Sequence, residues 1–292
     1  MKSLRTKAIL AISGGADSMY LLDHYKNESD IVVATVNYNI RDDSNEDVKI
    51  VVDFCNQYNI PFRSISVHKP DNVNLEEWAR NVRYDFFKDL LNEFKYDWII
   101  TAHNADDQAE TVLMRIQRGT GVKGLSGIII DKKPFYRPML SITKSDVYKY
   151  CELHNVPFRE DSTNTDTTYR RNWFRHVYIP SLEDRESSVS MLCRIAEISQ
   201  NVSDKILNHS HIAFDSVVTI SGNTITIPKT VVGDALFFTY LQDLLSNYNI
   251  NLSQTLFKNI FSSDPSLNKI TTKELIINKR KIRNIELILN SF

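Results

Sequence analysis

"AISGGADSMY", residues 11–20, joins an apolar, strand-like run to a segment with helical spacing, and its reading decides the fold. Two glycines between serines let the backbone turn tightly, and a following helix aims its first N–H groups and positive dipole end at an anion. Such a turn cradles phosphate. The common loop of this kind, G-x-x-x-x-G-K-S/T, adds a lysine. None stands here, so the chemistry must need the cradle without that lysine. Asp17 falls in the first helical turn, where a carboxylate repels phosphate unless a cation intervenes. It is therefore either a Mg²⁺ ligand or an ordinary helix-start residue.

Outward from this turn, short apolar runs alternate with amphipathic stretches. "KAILAIS" (7–13), "IVVATVN" (31–37), "FRSISV" (62–67) and "DWIITAH" (97–103) have strand length and β-branched content. Between them lie helical patterns, the clearest placing Leu75, Trp78, Val82 and Phe86 on one stripe. Alternation of this kind predicts an α/β fold, a parallel sheet with right-handed crossovers, whose ligands bind beyond the carboxyl ends of the strands. Ser13, Asn37 and His103 all fall at such ends.

"HNADDQAET" (103–111) follows the fourth strand. A helix starting near Ala105 sets His103, Asp107 and Glu110 on one face at spacings of four and three. Acids at a helix start are common caps. Opposite a phosphate loop, Asp107 or Glu110 also suits a second metal-binding or base carboxylate. Gly119, Gly121 and Gly124 fit G-x-G-x-x-G, but a helical segment precedes them where the dinucleotide motif requires a strand.

The 292 residues suffice for two domains. Residues 1–110 carry 12 Lys and Arg against 19 Asp and Glu; the rest carry 23 against 17, so a polyanion is expected to dock on the second part. Cys55, Cys151 and Cys193 are too far apart for a zinc or C-x-x-C motif. No signal peptide and no apolar run of ~20 residues is found, which predicts a cytoplasmic protein without membrane contact.

"SGGADS" (13–18) is similar to the SGGxDS loop of the N-type ATP pyrophosphatases, the PP-loop superfamily that splits ATP between its α and β phosphates. Within it, "NLEEWARNVRYDFF", "AHNADDQAETVLMRIQRGTGVKGLSGI", "RPML", "REDSTN" and "RRNWFR" resemble, in order, the tRNA(Ile)-lysidine synthetases. The resemblance implies a Rossmann-like, adenine nucleotide alpha hydrolase-like sheet flanked by helices, followed by a smaller α+β domain. It implies that ATP, with Mg²⁺, adenylates the C2 oxygen of the first anticodon cytidine in a CAU-bearing isoleucine tRNA. Free L-lysine then displaces AMP. The loop would grip the leaving pyrophosphate, which accounts for a cradle without the lysine.

Carried over by position, Ser13, Gly14, Gly15, Ala16, Asp17 and Ser18 would hold ATP together with Asn37 and His103. Asp17 and Asp107 would bind magnesium, and Arg83 would steady charge on the α-phosphate. His103 and Glu110 match positions near the nucleotide and the lysine. In "REDSTNTDTTYRRNWFRHVYIP" (159–180), Arg170, Arg171 and Arg175 interleave with aromatics and are expected to contact tRNA. The expected domains are catalytic (1–185), a linking helix (186–210) and a small tRNA-binding domain (211–292) with a hairpin at Gly222-Asn223. Lys279, Arg280, Lys281 and Arg283 are either a tRNA contact or a solvated face. Longer family members carry a further C-terminal domain with no counterpart expected here, and a homodimer stays open. A thiolating relative would need a persulfide cysteine or an iron–sulfur cluster, and a nucleotide-binding protein without turnover would not need Asp17, Arg83 and Asp107 together.

Overall fold

β1 (Ala8–Ala11) and β2 (Ile31–Asn37) are apolar on both faces and almost wholly buried, as the inner strands of a parallel sheet must be. In the computed structural model, which describes residues 7–41, 43–160, 170–231, 234, 236–248, 250–261, 269–271, 275–278 and 284–289, they lie at the middle of a six-stranded sheet. β3 (Phe62–Ser66), largely exposed, forms one edge. β4 (Trp98–Thr101) pairs in parallel on the other side of β1. Two short strands absent from the sequence reading, β5 (Asp131–Lys132) and β6 (Phe135–Tyr136), complete the order β3-β2-β1-β4-β6-β5, with β5 alone antiparallel. The strand order reverses between β1 and β4, so the crevice beyond their carboxyl ends is the topological switch point.

The crossovers carry α1 (Ala16–Tyr25), α2 (Ser44–Gln57), α3 (Leu75–Phe94) and α4 (Ala105–Gln117). Ile9, Val32, Ala34, Phe87, Leu90 and Ile99 pack on one sheet face; Leu10, Val33, Met19, Leu22, Phe54 and Ile100 belong to the core on the other. After α4, Gly119 takes φ +72° and Gly121 caps the single turn of α5 (Val122–Leu125). Arg115 on α4 binds the Gly124 and Gly127 carbonyls at 2.6 and 2.8 Å. A helix thus enters the glycine triplet and one turn leaves it, which removes the dinucleotide reading.

α6 (Lys144–Leu153) returns alongside α1, where Tyr150 Oη donates to Asp23 at 2.8 Å. α7 (Arg170–Trp173) runs into a π-helical turn at Phe174–Tyr178. α8 (Arg185–Phe214) is one unbroken helix of 30 residues. The chain divides into two compact units, Met1–Gln200 and Asn201–Phe292, with the division inside α8, the helix that contains the expected 186–210. The second unit has its own core on α9 (Phe237–Ser246), α10 (Gln254–Phe261) and an antiparallel sheet. Its strands are β7 (Thr219–Ser221), β8 (Thr224–Pro228), β9 (Lys269–Thr271), β10 (Leu275–Asn278) and β11 (Asn284–Leu289), in the order β7-β8-β11-β10-β9. The β7–β8 hairpin turns at Gly222, φ +55°, as its sequence predicts. Lys279, Arg280, Lys281 and Arg283 lie outside the described residues.

Candidate active site

Gly14 adopts φ +90°, and a Cβ placed there would stand 2.8 Å from the Asp47 carbonyl oxygen of α2. Only glycine combines that left-handed conformation with so close an approach. Ser18 closes the loop: its hydroxyl donates to the Gly15 carbonyl at 2.8 Å and its oxygen accepts the Ser13 N–H at 3.2 Å. The Arg159 N–H binds the Gly14 carbonyl at 3.0 Å, so that oxygen is engaged at the loop's flank. Among the described residues no side chain caps α1. Its first N–H groups, which have no intrahelical acceptor, are left to a ligand.

Asn104 couples this loop to α4. Its side-chain oxygen caps Asp107 N–H at 2.9 Å, the Asp107 carboxylate returns to Asn104 N–H at 3.1 Å, and Asn104 Nδ2 reaches Asp17 Oδ1 at 2.8 Å. A capping box has been turned into a bracket between two helix starts. Burial, with the Asp107 charge adding to it, holds the Asp17 carboxyl above its ordinary range, while the Asn104 bond opposes the shift. Asp17 Oδ2 has no hydrogen bond among the described residues. A desolvated carboxylate pressed by a second one fits a hard cation, and magnesium takes one or two carboxylates plus phosphate and water oxygens.

Glu110 is buried on α4, its side chain 1% exposed. Two arginines meet it. Arg175 donates from Nε to Oε1 at 2.6 Å, and Arg171 from Nε to Oε2 at 2.8 Å. Both also reach Asp107 Oδ1 through Nη2 at 2.9 Å. Burial alone would lower the pKa of either guanidinium; Asp107 and Glu110 outweigh it and raise both. Asp107 Oδ1 is thereby filled, so a metal at Asp107 requires an arginine to move or must use Oδ2.

His103 ends the β4 segment with Nδ1 2.8 Å from Thr101 Oγ1. Burial pushes its imidazole down to about 4, Arg137, Arg171 and Arg83 push the same way, and Asp107 opposes them. It is neutral at pH 7. Arg83 on α3 is exposed and holds no ion pair among the described residues; Asp85, a conceivable partner, faces Lys88 at 3.8 Å. Asn37 shapes its own loop, donating to Asn45 Oδ1 at 2.7 Å and accepting Asn39 N–H at 2.9 Å.

The structure thus gathers Asp17, Asp107, Glu110 and His103 around the switch point and leaves Asn37 occupied. Of the arginines expected to face tRNA, Arg170 is exposed, whereas Arg171 and Arg175 sit on the acids. Sequence reasoning missed Asn104, Lys144 and Arg185, which line the same cleft as Asp17, Glu110 and Arg175. Asp106, beside Asp107, is structural: it accepts the Lys144 N–H at 2.7 Å and pairs with Arg185 at 2.8 Å. Asn104 alone had a signal, as an N-cap followed by an acid at N3.

Residues 2–182 match the family model described as the PP-loop domain. The chain is 39% identical over 192 residues to the tRNA(Ile)-lysidine synthase of Clostridium tetani, covering 61% of this chain and 41% of that protein. It is 30% identical over 316 residues to that of Clostridioides difficile, covering 94% of this chain and 68% of the relative. The chain therefore spans from about two fifths to about two thirds of these relatives' length. Among solved structures, the U34-tRNA thiolase NcsA from Methanococcus maripaludis superposes with a TM-score of 0.54 at 18% identity, covering 68% of this chain and 74% of that one, which shows the shared fold.

Proposed function

This chain belongs to the tRNA(Ile)-lysidine synthase family of PP-loop domain proteins, and from that premise we propose that it converts a tRNA cytidine to lysidine, using ATP and free lysine. The substrate is the first anticodon cytidine of an isoleucine tRNA bearing CAU. Its C2 oxygen attacks the α-phosphorus of ATP, the bond to the β-phosphate oxygen breaks, and pyrophosphate leaves. The lysine ε-amine then attacks C2, the bond from C2 to the phosphate oxygen breaks, AMP departs, and the amine gives its protons to base and solvent.

The observation that carries this reading is the cage of Asp107 and Glu110 with Arg171 and Arg175, bracketed to the phosphate loop through Asn104. The substrates bring phosphates and an ammonium group. The cage holds the opposite charge for each, already partly desolvated, and exchange of partners would admit both. Arg171 and Arg175 then serve phosphate oxygens, while Asp107 and Glu110 turn to cations. Arg83, exposed and without an ion pair among the described residues, would steady the α-phosphate, and Arg170 would serve the tRNA. Asp17, with Asp107, would hold Mg²⁺, which when bound neutralises phosphate charge. At pH 7 only about one lysine in a few thousand is neutral, given a pKa near 10.4. His103, neutral down to about pH 4, is too weak a base to deprotonate the rest.

The cysteines support this reading over thiolation. Burial pushes Cys55 up to about 12 and Cys151 and Cys193 up to about 11, so all three are protonated, poor nucleophiles. No helix among the described residues is long and apolar enough to cross a membrane. The test is pyrophosphate release from ATP and Mg²⁺ with unmodified CAU isoleucine tRNA, with and without lysine, followed by nucleoside analysis. Release that needs this tRNA, and lysine on its first anticodon cytidine, is expected. Release only with other tRNAs and a sulfur donor would refute the proposal.

A further inference from the structure

A polyphosphate lying on residues 13–18 needs cations, and the loop itself offers N–H groups and an aspartate. Most cations around it are committed: Arg171 and Arg175 to Asp107 and Glu110, Arg185 to Asp106. Lys144 is different. It lines the same cleft as Asp17, yet its ammonium holds no carboxylate among the described residues. It rests 5.6 Å above the Tyr148 ring, a contact that leaves its three N–H donors available.

Hydrogen bonds set its position. Asn104 Nδ2 binds Asp17 at 2.8 Å, Ala105 N–H binds the Ile142 carbonyl at 2.9 Å, and Lys144 N–H binds Asp106 at 2.7 Å. Together they tie the start of α6 to the start of α4, and the start of α4 to the first turn of α1. α6 also packs along α1, with the Tyr20 and Tyr150 rings 4.6 Å apart edge to face. Lys144, the first residue of α6, is thus held beside the loop by backbone contacts that its own side chain does not make.

We infer that Lys144 binds the β- and γ-phosphate oxygens of ATP, supplying from α6 the lysine that the glycine loop lacks. This rests on the reading of the site as an ATP site. It also explains why a loop without its own lysine is sufficient: the ammonium comes from α6, in the cleft that Asp17 lines. Its charge reaches the Asp17 carboxylate too, opposing the effect of burial there.

The test is calorimetric titration of the full chain and of Lys144→Met with ATP–Mg²⁺, pyrophosphate–Mg²⁺ and AMP. A charge-assisted hydrogen bond to phosphate is worth a factor of about 10–100 in affinity. The variant is expected to lose that factor for ATP and pyrophosphate and to bind AMP as the parent does. Lys144→Ala gives the same comparison should the methionine variant aggregate. Unchanged pyrophosphate affinity would overturn the inference, and so would an equal loss for AMP, which marks a distorted site rather than a missing contact. A parent chain that binds neither ATP nor pyrophosphate would instead overturn the ATP reading itself.

Discussion

Glu110 is buried where an unpaired carboxylate would be costly, so the two guanidinium groups on it are a condition of its being there. Arg175→Ala removes one partner and leaves Arg171 as the other. The expected loss of stability is about 2 kcal/mol, below the ~3–5 kcal/mol of a fully buried pair because Arg171 stays and Arg175 is itself a quarter exposed. Glu110→Gln should remove most of that penalty when added to Arg175→Ala, giving a coupling above ~1 kcal/mol in urea unfolding of the two single variants and the double. Additive losses would mean that the pairing does not support the fold. The acids were legible in the sequence from their spacing on α4. Their partners were not, because Arg171 and Arg175 lie 61 to 68 positions away and an arginine beside aromatics reads equally well as a nucleic-acid contact. Lys144 carried no motif at all, since the tertiary hydrogen bonds from α6 to α4, with the packing of α6 against α1, bring it to the cleft.

The elements around the loop show where local sequence suffices. The strand over 31–37 and the helix start near Ala105 coincide with their expected positions, because continuous β-branched burial and an N-cap followed by an acid are both local signals. β5 and β6 are two residues each, too short for any period to register. α8 contains the linking helix expected over 186–210, a length of amphipathic sequence long enough for the helical period to register, and the division between the compact units falls inside it. At the loop, local and tertiary demands meet in a single glycine. Gly14→Ala would force an alanine to φ +90° and press its Cβ on the Asp47 carbonyl, a cost of about 1–3 kcal/mol before any neighbour moves. Gly15 has φ −77°, and its nearest neighbour to an added Cβ is 3.8 Å away. Thermal melts should therefore separate the two: Gly14→Ala lowers Tm by several degrees and abolishes ATP binding, whereas Gly15→Ala leaves Tm near the parent value. Equal melting temperatures would show that the contact with α2 does not constrain the loop.

The two compact units should answer to pH in opposite senses, since each carries a histidine shifted the other way. His103 in the first unit is held neutral, its pKa lowered from 6.5 to about 4 by burial. The unfolded chain takes up that proton near 6.5 and the folded chain only near 4. The stability this contributes is complete above pH 6.5 and drains away as pH falls toward 4. His211 in the second unit bridges Asp215 at 3.0 Å and Asp243 at 3.1 Å, and the hydrogen bond to Asp215 leads in raising its pKa, with partial burial opposing. Tyr240 faces the same imidazole edge to face at 5.2 Å, tying α8 to α9 from a third side. Here the folded state holds the proton longer, so the contribution is complete below the unfolded value of 6.5 and is lost as pH rises through the folded one. Calorimetric scans of the full chain at pH 5 and pH 8 are expected to show the two transitions shifting in opposite directions between these conditions. His103→Gln should flatten the acid-side change in the first unit alone, and His211→Gln the alkaline-side change in the second. If both transitions move together, or if either variant alters both, the histidines do not set the pH response of their own units. The opposition follows from surroundings: one imidazole is desolvated and feels the charges of Arg137, Arg171 and Arg83, and the other stands partly exposed between two carboxylates.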